Sequence, residues 1–225
     1  GEEGDFIYNG AADNASGTAG LLEVAEAWAN TPEPPRRTVG FLAVTAEESG
    51  LLGSKAYATK PQYPMNKTVG GINMDGLNFK GKMSDIVVVG YGGSEMEDIL
   101  AEVARETGRT ITPEANPEKG SYYRSDHFNF AKNGVPILYA GGGTVDRERG
   151  AEYVKQRNAE YIANHYHSPS DEIQYDWDLD AAIEDLRIYY KIGHRIVFND
   201  DWPEWYEGNE FRAIREASLA ADAAE

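Results

Sequence analysis

Cysteine does not occur among the 225 residues, and its absence excludes disulfide bonds and thiolate zinc sites. Long hydrophobic runs are also missing, since no run approaches the roughly 18 apolar residues of a membrane span. Basic residues are scarce, with 21 Lys and Arg against 38 Asp and Glu, so the formal net charge is −17. Because an acidic surface repels phosphates, we expect neither nucleic acids nor anionic membranes as partners.

The residues that are present are those of an ordinary globular chain. Hydrophobic residues make up 41% and charged residues 26% of the sequence, which suffices for a sizeable core in a chain of this length. We therefore predict one domain over residues 1–225. Its last part, residues 200–225, begins as an aromatic loop and ends as an alanine-rich helix, which we expect to pack on the rest.

Short apolar runs alternate with amphipathic segments along the chain. Strands are predicted at residues 39–44, 69–74, 86–89 and 136–139, and helices at residues 16–28, 94–103 and 178–197. Ser94 and Glu97 have the spacing of a capping box. In the last helix, Leu179, Ile183, Leu186 and Tyr190 are expected to face inward. The alternation predicts an α/β layered fold with a mainly parallel sheet.

Acidic residues follow two of the predicted strands. Glu47 and Glu48 come shortly after residues 39–44, and Asp75 comes directly after residues 69–74. Ligands of such sheets bind beyond the carboxyl ends of the strands, so these three side chains are expected along one edge of the sheet. Carboxylates that lie close together repel one another, and a bound cation relieves the repulsion. The pattern therefore predicts a cation site.

Each of these pieces also has an ordinary structural interpretation. Paired glutamates on a loop are commonly solvated charge, and an aspartate after a strand is commonly a turn residue. Residues 9–17 alone describe a polar turn before a helix, and residues 165–172 describe a loop whose histidines have no role. Taken singly, none of these segments predicts a function. Their joint occurrence in this order does.

The combination resembles one family, the zinc aminopeptidases that share a fold with glutamate carboxypeptidase II and glutaminyl cyclase. The resemblance extends from residue 5 to about residue 175 and is highly specific. Its motifs are YNGAADNASG (residues 8–17), TAEESGLLGS (residues 45–54), NMD (residues 73–75), YRSDH (residues 123–127) and YHSPSDE (residues 166–172). It implies a three-layer α/β fold like that of zinc exopeptidases, in which a twisted, mainly parallel mixed sheet has helices on both faces.

The resemblance also implies a role for each matching residue. Asp13 corresponds to a carboxylate that bridges two metal ions. Glu48 and His167 correspond to the remaining protein ligands of one ion, whereas Asp75 corresponds to a ligand of the other. Glu47 corresponds to the general base. These roles imply a metal-dependent aminopeptidase that hydrolyses N-terminal peptide bonds with a zinc-activated water.

One expected ligand of the second ion is missing. The family has a His-x-Asp motif upstream of the bridging aspartate, but none of the twelve residues before Asp13 is histidine. The resemblance implies two Zn²⁺ ions in the intact enzyme, with the Asp75 site incomplete here. We expect an N-terminally truncated chain, while a degenerate relative, or His165 as a substitute ligand, stays open. Manganese and cobalt stay open beside zinc, because oxygen ligands predominate.

Other motif residues have two interpretations each. Tyr122 lies where relatives have a tyrosine that steadies the tetrahedral intermediate, or it is an aromatic core residue. Asp171 accepts a hydrogen bond from the His167 ring and fixes its tautomer, or it is a turn residue. Asp126 and His127 are expected to shape the fold around the site rather than to bind metal.

Three rival functions stay open on the sequence alone. A carboxypeptidase or dipeptidase of the same superfamily would present an Arg or Lys beside the metal, and Arg124 is the cationic residue inside a motif. A glutaminyl cyclase would need one zinc ion and no hydrolytic water. A non-catalytic binding domain with a degenerate metal site would account for the missing histidine. The aminopeptidase interpretation implies peptides with a free N-terminus as partners and a secreted or periplasmic protein.

Overall fold

The computed structural model describes residues 4–222. Its α-helices are α1 (Ser16–Ala29), α2 (Leu52–Thr59), α3 (Met96–Glu106), α4 (His127–Ala131), α5 (Gly150–Asn164), α6 (Leu179–Phe198) and α7 (Arg212–Asp222). Its strands are β1 (Gly71–Asn73), β2 (Asp85–Val88), β3 (Thr110–Pro113) and β4 (Ile137–Gly141). Three short 3-10 helices (Met65–Lys67, Pro117–Lys119, Ser121–Arg124) and an irregular helical turn (Ala11–Ala15) complete the set. None of these helices is both long and apolar enough to cross a bilayer.

The four strands form one mixed sheet in the order β1-β4-β2-β3. β1 runs parallel to β4, and β2 runs parallel to β3, whereas β2 and β4 are antiparallel. Ile72 lies opposite Leu138, and Val88 lies opposite Ala140. The predicted α/β class with a mixed sheet is therefore confirmed.

Helices cover both faces of this sheet. On one face, Leu138 and Ala140 belong to a buried cluster that contains Leu100 of α3 and Ile192 of α6. Between them in β4, the ring of Tyr139 contacts His127 of α4, with centroids 5.0 Å apart. Because successive side chains of a strand point to opposite faces, α4 lies on the face opposite α3 and α6. This is the predicted three-layer arrangement.

The predicted strand at residues 39–44 is wrong. Residues 69–74 contain β1, and residues 86–89 and 136–139 contain most of β2 and β4, but residues 39–44 lie in a segment without ladder bonds. Phe41 and Leu42 are 39% and 41% exposed. This segment is not hydrogen-bonded into the sheet of the described residues, and Leu42, Ala43 and Val44 instead line a cleft across from Ile72 and Asn73 of β1.

The inward face of α6 differs in part from the prediction. Leu186 and Tyr190 pack against the buried cluster that contains Trp28 of α1, as expected. Leu179 and Ile183, however, are 62% and 41% exposed, whereas Ile188 and Ile192 are buried. The helix packs against both α1 and α3, and these two neighbours decide which side is covered. Helix length and start were predicted well, because they depend on local sequence alone.

The C-terminal segment packs on the chain that leads into β1. Trp205 and Phe211 form a buried cluster with Ala131 of α4. In α7, the buried Arg215 donates hydrogen bonds to the carbonyl oxygens of Thr68 (2.8 Å) and Val69 (3.2 Å). The assignment of residues 1–225 to one domain stays a prediction.

Candidate metal centre

Asp13 lies in the irregular turn that precedes α1. Gly10 begins this turn with a left-handed φ of 57°, and a Cβ there would lie 2.6 Å from the carbonyl oxygen of Asp13. Asp13 itself has non-helical angles, and its peptide bond to Asn14 is cis. The turn therefore needs glycine at Gly10, and it sets the Asp13 side chain apart from the helix that follows.

Asn14 joins this turn to the loop after β1. Its Nδ2 donates to the carbonyl oxygen of Met74 (2.9 Å), and its Oδ1 accepts from the amides of Gly17 (3.0 Å) and Gly76 (2.8 Å). A Cβ at Gly17 would lie 2.4 Å from the Met74 oxygen, so the approach requires glycine. One amide side chain thus holds together the segments that carry Asp13 and Asp75.

A compact turn before α2 presents Glu47 and Glu48. Ala46 has a left-handed φ of 57°, and the amides of Gly50 and Leu51 both donate to the Glu47 carbonyl oxygen, at 3.0 and 2.9 Å. The two glutamates reach the site from this turn even though the preceding segment is not a strand. They line the same cleft as Asp75, but the strand-end reason for expecting them there does not hold.

His167 brings an imidazole to the two carboxylates. Its ring stacks on Tyr166 with centroids 3.7 Å apart. Its Nε2 lies 3.0 Å from Oε1 of Glu48 and 3.3 Å from Oδ2 of Asp13. The donor atoms of these three residues all lie within 4.8 Å of one another. Two carboxylates and one imidazole in this arrangement fit a divalent cation, and zinc accepts such a donor set.

Asp75 shares the cleft but stands apart from that group. A cleft of about 460 Å³ is lined by acidic side chains, namely Asp13, Glu47, Glu48, Asp75 and Asp126. Asp75 accepts a hydrogen bond from the Ser125 hydroxyl (2.6 Å), which in turn accepts from Nδ2 of Asn73 (2.7 Å). Among the described residues, Asp75 is not a member of the three-residue group.

Burial and mutual repulsion both raise the pKa values of carboxyl groups in the cleft. Burial raises the pKa of the Asp13 carboxyl to about 6, and the negative charges of Asp75 and Glu48 add to the rise. Burial raises the pKa of Glu47 to about 7, again with contributions from Asp75 and Glu48. A bound divalent cation would reverse the effect of this crowding on the carboxylates.

Asp171 contacts the backbone around Asp13 rather than the His167 ring. Its carboxylate is 3% exposed and accepts hydrogen bonds from the amides of Ala12 (3.1 Å) and Asp13 (3.0 Å). The Tyr161 hydroxyl donates to the same carboxylate at 3.4 Å. The proposed bond from the His167 ring is not formed among the described residues. Asp171 instead ties the histidine loop to the aspartate turn.

Tyr122 lies outside the acidic cleft. Its ring packs against Phe211 and meets the His127 ring edge-on, with centroids 4.6 Å apart. Its hydroxyl is buried and has no hydrogen-bond partner within residues 4–222. The placement matches the aromatic-core interpretation and not a role at the reacting carbonyl. His127 is 1% exposed beside it, and burial lowers its pKa to about 4.

His165 is engaged elsewhere, and several supporting residues were missed. The Nδ1 atom of His165 lies 2.9 Å from the Ser170 carbonyl oxygen, which gives no support to its use as a substitute ligand. Sequence reasoning assigned no role to Asn14, Ser125 or Tyr166. All three lie inside the quoted motifs, and for Asn14 and Tyr166 the available signal was their position directly beside the predicted ligands Asp13 and His167.

Comparison with known proteins decides the family. The model of Peptidase family M28 matches residues 2–190. The chain belongs to this family. Leucine aminopeptidase 1 of Neurospora crassa is 25% identical to this M28 chain over 202 residues, which cover 85% of the chain and 46% of that enzyme. The M28 chain thus spans about half the length of this curated relative.

Solved structures share the fold of this M28 chain. An aminopeptidase from Aneurinibacillus sp. strain AM-1 superposes with a TM-score of 0.56 and 20% identity, covering 86% of this chain and 43% of that one. A zinc-dependent exopeptidase from Parabacteroides distasonis gives a TM-score of 0.50 and 18% identity, covering 84% and 63%. At these identities the likeness establishes the α/β fold.

Proposed function

We propose that this chain carries the catalytic part of a zinc-dependent aminopeptidase. The observation that carries the proposal is the convergence of Asp13, Glu48 and His167, which come from three distant segments, on one point beside Glu47. Membership of Peptidase family M28 and the aminopeptidase named among its relatives support the same reaction.

Asp13, Glu48 and His167 would hold one zinc ion, and Asp75 would contribute to a second that shares Asp13. A zinc ion bound there would supply Lewis acidity toward the scissile carbonyl and lower the pKa of water. Glu47 would accept the proton of the attacking water and deliver it to the departing amine. The negative potential of the cleft would attract the free α-ammonium of a peptide, which favours cleavage at the N-terminus.

The substitution Glu47→Gln tests the assignment of the base. Gln cannot accept a proton, so kcat for an aminoacyl p-nitroanilide should fall roughly 10²- to 10⁴-fold while zinc content stays normal. Glu48→Gln and His167→Gln should lose zinc as well as activity, because they replace a carboxylate and an imidazole with a neutral amide, which is a weaker ligand. Zinc per chain is measured by elemental analysis and activity by steady-state kinetics.

Glu23→Gln is the matched control, because it makes the same change on the exposed side of α1. It should leave both zinc content and kcat unchanged. Near-normal turnover by a fully zinc-loaded Glu47→Gln variant would refute the role of Glu47. A wild-type chain that binds zinc and hydrolyses no aminoacyl substrate would contradict the proposed function itself.

A further inference from the structure

A second cavity adjoins the candidate metal centre. It has a volume of about 660 Å³, and Asp13 and Asp75 form part of its wall. Phe79 and Trp177 line it as a stacked pair, with ring centroids 4.0 Å apart and planes inclined by 6°. A group held in this cavity would lie next to the metal ligands and against a flat aromatic surface.

Two cationic side chains, Lys80 and Arg157, also line this cavity. The Arg157 guanidinium is neutralised by Asp176 (2.7 Å) and Glu160 (3.3 Å). Lys80, by contrast, has no ion-pair partner among residues 4–222. The cavity therefore contains a cation whose charge the described protein does not balance.

More distant residues do not neutralise the positive charge of Lys80 either. Arg157 repels its ammonium group, and Asp185, the carboxylate that attracts it, is already paired with Arg109 at 2.6 Å. Burial, followed by Arg157, lowers the pKa of Lys80. An anion bound beside the ammonium group would favour its charged form, because an opposite charge at close range stabilises the ammonium ion.

The acids of the cavity are each accounted for in another way. Glu160 and Asp176 are bound to Arg157. Asp13 and Asp75 face the candidate metal centre, where divalent cations would offset their charge. Once these acids are paired, Lys80 is the side chain that attracts a negatively charged ligand.

We propose that Lys80 binds a carboxylate of the substrate, so that this site prefers peptides with a negative group close to the scissile bond. This inference rests on the proposed function and narrows its substrate class. Phe79 and Trp177 would pack against the aliphatic part of the bound residue. The carboxylate has two possible sources, the C-terminus of a dipeptide and the side chain of an N-terminal Asp or Glu.

The test is equilibrium binding of peptides that cannot be hydrolysed. Reduced-amide dipeptides, in which a methylene replaces the scissile carbonyl, are titrated into the zinc-loaded full chain by calorimetry. The first pair differs only at the C-terminus, carboxylate against carboxamide. The second pair is amidated throughout and differs only at the N-terminal side chain, Glu against Gln. Each pair is measured with wild type, Lys80→Met, Lys80→Arg and Lys82→Met.

For one of the pairs, wild type should bind the anionic member roughly 10- to 100-fold more tightly than the neutral one. Lys80→Met should lose this preference, and Lys80→Arg should keep most of it. Lys82→Met should keep it fully, because Lys82 is exposed and pairs with Asp180 at 3.3 Å. The pair that shows the preference identifies the source of the carboxylate.

Equal affinities for both members of both pairs in wild type would overturn the proposal, and this comparison needs no variant to fold. A preference that survives in Lys80→Met would overturn it too. The two proposals fail separately. A chain that hydrolyses peptides without a Lys80-dependent preference contradicts this inference alone, whereas Lys80-dependent binding without hydrolysis of any peptide contradicts the proposed function alone.

Discussion

At the scale of single residues, Asp171 connects two parts of the candidate centre. It follows His167 by four positions, and its carboxylate receives the amides of Ala12 and Asp13. The Asp13 backbone therefore depends on a side chain 158 residues further along the chain. Asp171 positions the ligand and does not itself approach the candidate metal.

Replacing Asp171 with alanine should weaken metal binding without removing a ligand. The two freed amides would let the turn around Asp13 relax, and loss of such a supporting partner typically costs about 10- to 100-fold in metal affinity. Zinc affinity is measured by competition with a chromophoric chelator. Asp171→Asn should recover part of the affinity, because one carbonyl acceptor remains. An alanine variant with wild-type affinity would contradict the positioning role.

The ligand residues could be predicted from sequence, while their supports could not. The roles of Asp13, Glu48 and His167 came from the resemblance of their combined motifs to one family, since none of these segments predicts a function on its own. The contacts of Asp171 and Lys80 depend on which loops the fold brings together, and no local pattern contains that information. For Tyr122 the sequence left a catalytic and a core interpretation open, and the choice depends on tertiary packing, which places its ring in an aromatic cluster and buries its hydroxyl.

At the scale of elements, Glu97 organises the start of α3. Its carboxylate accepts hydrogen bonds from the amides of Gly92 (2.8 Å), Gly93 (2.6 Å) and Ser94 (3.3 Å). Glu97 thus accepts the hydrogen bond from the Ser94 amide that the predicted capping box requires, and it accepts two more from the amides of Gly92 and Gly93. The Ser94 side chain does not cap the helix.

The substitution Glu97→Gln should lower the free energy of unfolding by about 2–3 kcal/mol, because hydrogen bonds to a charged acceptor are among the stronger ones. The NH₂ group of the introduced glutamine would also face the backbone N–H groups of residues 92–94, which cannot accept a hydrogen bond from it. Urea denaturation at neutral pH measures the change. Glu152→Gln is the control, since Glu152 is exposed and its distant pair with Lys155 should contribute less than about 1 kcal/mol. Equal losses in the two variants would contradict the role of Glu97.

Elements were predictable where burial and local signals agreed. β2 and β4 are short apolar runs that other elements cover, and α6 begins beside Asp178 as its sequence indicated. Residues 39–44 carry the same apolar signal as these strands. A strand, however, requires a neighbour for its backbone hydrogen bonds, and the described chain provides none at that position. The apolar composition of a segment indicates a tendency to form a strand, but the strand forms only where a neighbouring strand accepts and donates its backbone hydrogen bonds.

At the scale of the whole molecule, the excess of negative charge affects stability, and part of it lies in the acidic cleft. The net charge of −17 already opposes the compact state, and the acidic cleft crowds several carboxylates into one place. A divalent cation that binds only the folded chain would therefore stabilise the entire domain by mass action.

Removal of zinc should lower the melting temperature. At a free zinc concentration of 100 times Kd, binding contributes about 2.7 kcal/mol. For a chain of this size that corresponds to a rise of roughly 5–10 °C over the chelator-treated protein. Differential scanning fluorimetry with and without zinc checks the shift. His167→Gln, which lacks the imidazole donor, should show little of it. An equal shift in that variant would indicate zinc binding at other sites.

The hydrogen bonds of Asn14 have a consequence for how the centre acquires its ion. They fasten the Asp13 turn to the loop after β1 through protein groups alone, and a Cβ at Gly17 would collide with the Met74 carbonyl oxygen. The approach of the Asp13 turn to the Asp75 loop is thus fixed by the backbone. Loading should then be governed by diffusion of the ion and loss of its hydration water, with no backbone rearrangement to await.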